Sequence, residues 1–183
     1  SRKSVMKNLL LKNRKAAALF LIAAVFFGAV FGSFRSFSVL GARVEKEYTK
    51  TDDYGQSVKM TANDLAFHAS SLAAEYADEY GYGDGYAESL NEAAVSLAAS
   101  DSPFEAASSA SDIKVLSRAI YEKLKLNDGF TGVVRTAYAS VDNDISVLNT
   151  MDSYNRAAKR FNIAAHTPAG RILAGSRRAA AFS

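Results

Sequence analysis

Nineteen consecutive side chains, residues 16–34 (AAALFLIAAVFFGAVFGSF), carry no charge. As an α-helix rising 1.5 Å per residue, the run is about 28 Å long, close to the thickness of a bilayer's hydrocarbon core. It predicts a transmembrane helix over 16–35 and obliges everything after it to fold as a body attached to a membrane. The preceding residues hold Arg2, Lys3, Lys7, Lys12, Arg14 and Lys15 and no acid, whereas the following flank offers Arg35 and Arg43 before Glu45. The positive-inside bias therefore places residues 1–15 in the cytoplasm and the remainder outside, on a bacterial cell membrane. A cleaved signal peptide has a shorter apolar region of about 7 to 15 residues with a small-residue cleavage site. A lipoprotein anchor needs a Cys, and the chain has none.

The net charge of +3 conceals a segregation. Besides the six positive side chains of residues 1–15, six more stand in residues 154–183 (Arg156, Lys159, Arg160, Arg171, Arg177 and Arg178), and neither segment contains an acid. All 19 acids lie between Glu45 and Asp152, where residues 16–153 hold ten Lys and Arg, a net charge of −9. A nucleic-acid binder needs a basic stripe on its folded body. This body is acidic, so no nucleic-acid partner is expected. The absence of Cys also excludes a disulfide scaffold, a thiolate metal site and a cysteine nucleophile.

Only two Pro occur in 183 residues, and the long Ala- and Ser-rich stretches favour helices over the densely punctuated turns of an all-β fold. The expected fold class is all-α: an N-terminal transmembrane helix continuing into an antiparallel bundle of long helices over 36–167, followed by a basic C-terminal tail, 168–183. With only Gly41 and Gly55 as breakers up to Tyr80, the membrane helix is expected to run outward as a rod. Val58, Ala62, Leu65, Ala69, Leu72 and Tyr76 recur at three- and four-residue steps and mark a core face. GYGDGY at 81–86 predicts a turn, and a short helix follows from Ala87 to about Ala99. Ser102, Pro103 and Glu105 read as N-cap, N1 and the acid of a capping box. That helix carries Ile113, Leu116, Ile120 and Leu124 and ends at Asn127-Asp128-Gly129. One last long helix is expected over 130–165, on a stripe of Val134, Tyr138, Val141, Ile145, Leu148, Met151, Ala158 and Phe161. Thr167-Pro168 should close it. Short connections between such helices imply antiparallel neighbours.

Tyr154-Asn155-Arg156-Ala157-Ala158-Lys159-Arg160-Phe161-Asn162, followed by Thr167-Pro168-Ala169-Gly170-Arg171-Ile172-Leu173-Ala174-Gly175, resembles the C-terminal signature of LemA family proteins. In that signature a Tyr-Asn, an aromatic-Asn seven residues on and a Pro-containing exit close the last helix. Asn127, Phe130 and the helix after them are similar to the family's segment just upstream, as is the layout of a membrane helix before a bundle. The chain is identified as a divergent member, with Asp64-Leu65-Ala66-Phe67-His68 where the family has a Leu-Ile-Pro-Asn-Leu-type stretch, and with Asp142-Asn143 offset from its acidic-Asn pair. The resemblance implies a membrane-anchored, helical, non-enzymatic protein, with some relatives associated with envelope or organelle organisation.

No nucleophile elbow, phosphate loop or paired-carboxylate arrangement is present, so no enzyme and no cofactor are expected. Asp64 and His68 stand four apart on one helical face, but two ligands do not make a metal site. His166 reads as a helix C-terminal group favoured by the dipole. Ala24, Gly28, Gly32 and Ser36 form a small-residue face on the membrane helix suited to close helix packing. Tyr80, Tyr82 and Tyr86 either cap the bundle end or form a contact surface. Tyr154, Asn155, Phe161, Asn162 and Pro168 are expected to lock the last helix against its neighbours. Arg171, Arg177 and Arg178, with Ile172, Leu173 and Phe182, are expected to meet an acidic surface of a neighbouring copy or the anionic membrane. The expected function is a single-pass structural protein that assembles as a homo-oligomer in the envelope. The alternative is an adaptor that captures another envelope protein or a glycan through the bundle tip.

Overall fold

The first helix sets the geometry of the whole chain. In the computed structural model, which describes residues 2–126 and 132–182, with side chains described from 17 onward, α1 spans Arg2–Thr49 as one uninterrupted helix. Its 48 residues extend about 72 Å at 1.5 Å each. One stretch of it, near the N-terminus, is apolar enough to cross a membrane. Leu19, Phe20, Phe26, Phe31 and Phe34 along that stretch are exposed, and none of the described residues covers them. Beyond Arg35 the same helix becomes a core element, with Phe37 and Leu40 half-buried and Val44 and Tyr48 fully buried at three- and four-residue steps.

Six further helices are described: α2 (Val58–Tyr80), α3 (Tyr86–Ala98), α4 (Ala106–Leu126), α5 (Gly132–Thr150), α6 (Asp152–His166) and α7 (Pro168–Ala174), with no strand among the described residues. α2 packs on α3 along one side and on α5 along the other, and α4 lies against α3. The stripe Val58, Ala62, Leu65, Ala69, Leu72 and Tyr76 is buried throughout, as periodicity requires of a core face. A second layer is made by α1 and α6 with α7 beside them. Phe37 meets Phe161 at 4.7 Å between ring centroids and Tyr48 meets Tyr154 at 5.8 Å, so α6 runs antiparallel to α1, back toward the membrane segment.

Three expectations from the sequence are corrected. The rod ends at Thr49 instead of running on toward Tyr80. Asp52 Oδ1 accepts from the backbone N–H groups of Tyr54 and Gln56 at 2.9 and 2.8 Å, and Gly55 takes the left-handed φ of 78° that closes the turn. Ser102 Oγ accepts from Glu105 N as the N-cap reading requires, but Glu105 Oε2 accepts from Asp101 N, one residue upstream of the usual capping box, and α4 itself begins at Ala106, three residues after Pro103. The last long helix is two helices, broken at Met151. α5 is committed to α2 and α6 to α1, and a straight helix could not serve both layers. Asn127-Asp128-Gly129 and Phe130 lie outside the described residues.

Candidate functional site

The signature residues at the start of α6 and the segment after α7 close on each other as a clasp. Asn155 is buried at the helix break, where its Nδ2 donates to Asn149 O at 3.3 Å and, at 2.8 Å, to Leu148 O, which also accepts from Met151 N, so the amide caps the last turn of α5. Its Oδ1 accepts from Phe182 N at 3.1 Å. Two turns on, Asn162 holds both polar groups of one residue: Nδ2 donates to Ala179 O and Oδ1 accepts from Ala179 N, each at 2.9 Å. Tyr154 Oη donates to Ala180 O at 2.6 Å, and Ala180 N donates to Pro103 O at 3.0 Å. Backbone groups of Ala179, Ala180 and Phe182 are thus satisfied by three side chains of α6 and by the Pro103 carbonyl, as burial demands. Ala179, Ala180 and Phe182 are buried.

Apolar contacts complete the clasp. Phe161 is wedged between Phe37 and Phe104, at 4.7 and 4.8 Å between centroids, and Tyr154 meets Phe182 at 6.1 Å. Burial pushes the Tyr48 hydroxyl up to about 12, and it drives Tyr154 higher still, with Tyr48 adding to the shift, so both phenols stay neutral at any physiological pH. The expectation that Phe182 and Leu173 await a neighbouring copy is altered by this packing. Phe182 is consumed within the chain and Leu173 is half-buried, leaving Ile172 as the exposed apolar residue beside Arg171 and Arg177.

Pro168 does more than close α6. Thr167 Oγ1 donates to Ala164 O at 2.7 Å and accepts from Gly170 N at 3.0 Å, ending one helix and capping the next, in which Pro168 occupies the first turn. Gly170 is required at this corner, since a Cβ there would stand 1.8 Å from Ala164 O. His166 Nδ1 donates to Asn162 O at 2.6 Å, consistent with a group at a helix C-terminus. Beside the corner, Leu173 and Arg177 share an open groove of about 310 Å³ with Phe34, Phe37, Ser38 and Gly41 of α1 and with Phe104.

The Gly-rich turn is organised by a residue that composition alone does not single out. Asp84 Oδ1 accepts from Tyr86 N at 3.0 Å, and Oδ2 accepts from Tyr76 Oη at 2.5 Å and from Lys123 Nζ of α4. Partial burial works against the carboxylate, but the bonds from Lys123, Tyr76 and Tyr86 outweigh it and hold Asp84 below the usual carboxylate range. Lys123 lies 5.8 and 5.6 Å from the Tyr76 and Tyr86 ring centroids. Tyr86 therefore belongs to a structural tie between turn and α4, Tyr80 packs on Tyr76 at 5.1 Å, and Tyr82 projects with 69% of its surface exposed.

Asp64 and His68 do not come together as ligands. Asp64 is exposed, and His68 Nδ1 donates instead to Asp144 Oδ2 of α5 at 2.6 Å, tying α2 to α5. Asp144 is buried and is supplied by a partner 76 residues away, which no local spacing reveals. Among the described residues no group of three His, Cys, Asp or Glu could hold a metal ion. On α1, Ala24 and Ser36 are exposed, and a Cβ added at Gly28 or Gly32 would meet nothing within 4 Å.

Fold and clasp together define an all-helical bundle whose first helix carries a candidate membrane span. Compared with known proteins, the chain matches no protein-family model, no curated protein and no solved structure.

Proposed function

We propose that the chain is a single-pass membrane-anchored structural protein, a divergent LemA-like protein, that self-associates into a larger homo-oligomeric assembly of the bacterial envelope and carries out no catalysis. The observation that carries the reading is the unbroken passage of α1 from an exposed apolar stretch into the buried core at Val44 and Tyr48. A helix continuous across that boundary transmits any arrangement of the membrane segments to the bundles, and the reverse. The open face of Ala24, Gly28, Gly32 and Ser36 supports contact between copies, because small residues let helix backbones approach where lipid supplies no hydrophobic drive. The six basic residues before the span favour a cytoplasmic N-terminus.

Cysteines introduced singly at Ala24, Gly28 and Gly32 should cross-link between copies in membranes in higher yield than cysteines at Ile22, Phe26 and Val30. A detergent-extracted particle several times the mass of one chain should accompany them. Equal yields at both sets and a monomeric particle would refute self-association. A monomer would instead favour the adaptor reading, for which exposed Tyr82 and the adjoining groove lined by Ser70, Glu88, Asn91 and Glu92 offer a contact surface at the turn.

A further inference from the structure

We propose that the corner between α6 and α7, together with α7, is a docking surface for anionic lipid headgroups, in which Arg171, Arg177 and Arg178 take the phosphates and Ile163 and Ile172 enter the acyl boundary. The inference rests on the reading of α1 as a membrane span. Its height follows from the register of α6 on α1. Phe161 lies against Phe37, and the five residues from Asn162 to His166 carry α6 about 8 Å further toward the membrane. That brings the corner level with α1 residues 32–35, where the uncharged run gives way to Arg35. Leu173 and Arg177 line a groove that runs along α1 from Phe34, at this level, to Glu45, so the segment after the corner stays against α1.

The corner has the composition of an interfacial element. Ile163 and Ile172 are 71% and 85% exposed and stand within ten residues of three arginines, the pairing of apolar and basic side chains that suits the edge of hydrocarbon. Among the described residues none of Arg171, Arg177 and Arg178 is paired with a carboxylate, and no acid follows Asp152 in the sequence. Guanidinium groups bind phosphate in two-pronged fashion. A seven-residue helix is too short to hold itself on a membrane, and here it does not need to. The Thr167 caps on one side and the Asn155, Asn162 and Tyr154 clasp on the other fix its position beforehand. The bundle would then stand on the membrane at two points, α1 and the corner, which fixes its tilt.

The chain lacks Cys, so single cysteines can carry a fluorophore at chosen heights in the full-length protein reconstituted into vesicles of phosphatidylcholine alone or mixed with phosphatidylglycerol. Labels at Phe27, Ile172 and Tyr82 report the span, the corner and the turn. With phosphatidylglycerol present, the label at 172 should be quenched by lipids spin-labelled near the headgroup, and that at 82 by aqueous iodide. Each arginine near an anionic surface favours contact by a factor of about five, so Arg171→Gln, Arg177→Gln and Arg178→Gln combined should lower lipid quenching at 172 at least about twofold. Omitting phosphatidylglycerol from the unsubstituted Arg background should do the same without any risk to folding. Lipid quenching at 27 with iodide access at 172 overturns this inference alone. Protection of 172 from both quenchers, as against a neighbouring subunit, overturns it as well, and so does quenching indifferent to phosphatidylglycerol. Loss of lipid quenching at 27 brings down the membrane-span reading and this inference with it.

Discussion

Replacing Asn155 by Ala tests whether the clasp is what holds the C-terminal segment in place. The substitution removes two buried bonds, to Leu148 O and from Phe182 N, and a partly buried one to Asn149 O. A net hydrogen bond contributes about 1 kcal/mol, and an orphaned buried partner costs about 1–3 kcal/mol, so the total loss should be about 2–4 kcal/mol. For a body of this size each kcal/mol moves Tm by about 2–4 °C, giving a fall of about 5–15 °C. Asn162→Ala removes two partly buried bonds to Ala179 and should cost less, about 1–2 kcal/mol. Thermal denaturation of the detergent-solubilised protein measures the first effect. The rate of trypsin cleavage at Arg177 and Arg178 measures the second consequence, since local opening of the segment exposes those bonds. Removing residues 179–183 separates the two halves of Asn155. In that background the substitution retains only the loss of α5 capping, about half the original effect. Asn155→Ala with a Tm within 2 °C of the parent (about the shift of 1 kcal/mol) and unchanged cleavage would refute the account of the clasp.

Gly170→Ala should open the corner, because its Cβ cannot occupy the place of Ala164 O; a drop in Tm and faster cleavage at Arg171 are expected, and parental behaviour of both would contradict the close approach. Gly41→Ala should do the opposite, raising stability by about 0.5–1 kcal/mol in chemical denaturation, since a mid-helix glycine is replaced and the new Cβ meets Phe161 at an ordinary 3.6 Å. Asp84 is held below its ordinary value of 3.8, so its contribution is present above about pH 4 and is lost as pH falls through the folded-state value. The Tm difference between parent and Asp84→Asn should therefore be largest near neutrality and shrink below about pH 4, as read by calorimetry across that range; a difference constant with pH would remove the Lys123 and Tyr76 tie from the explanation.

What the sequence determined by itself was whatever depends on local pattern. An uncharged run of bilayer length at 16–34, the buried stripe from Val58 to Tyr76, the Gly-rich turn at 81–86, the cap at Ser102 and the helix end at Thr167-Pro168 were all legible, because helical period, charge and turn chemistry act over a few residues. Tyr154, Asn155, Phe161 and Asn162 could also be singled out as a group, though only as a lock of the last helix. Tertiary structure decided what the group locks. Asn155 sits where a continuous helical pattern breaks, and the break exists because α5 and α6 serve different layers. Its cost is met by an amide that caps α5 while gripping Phe182, 27 residues away. His68 found Asp144 rather than Asp64, and the turn found Lys123, for the same reason: a carboxylate's partner is chosen by which helices pack together, and packing is a property of the whole chain. The place of Leu173 and Arg177 in one groove with Phe34 is decided in the same way, since only the antiparallel run of α6 along α1 carries residues so distant in sequence back to the end of the apolar segment.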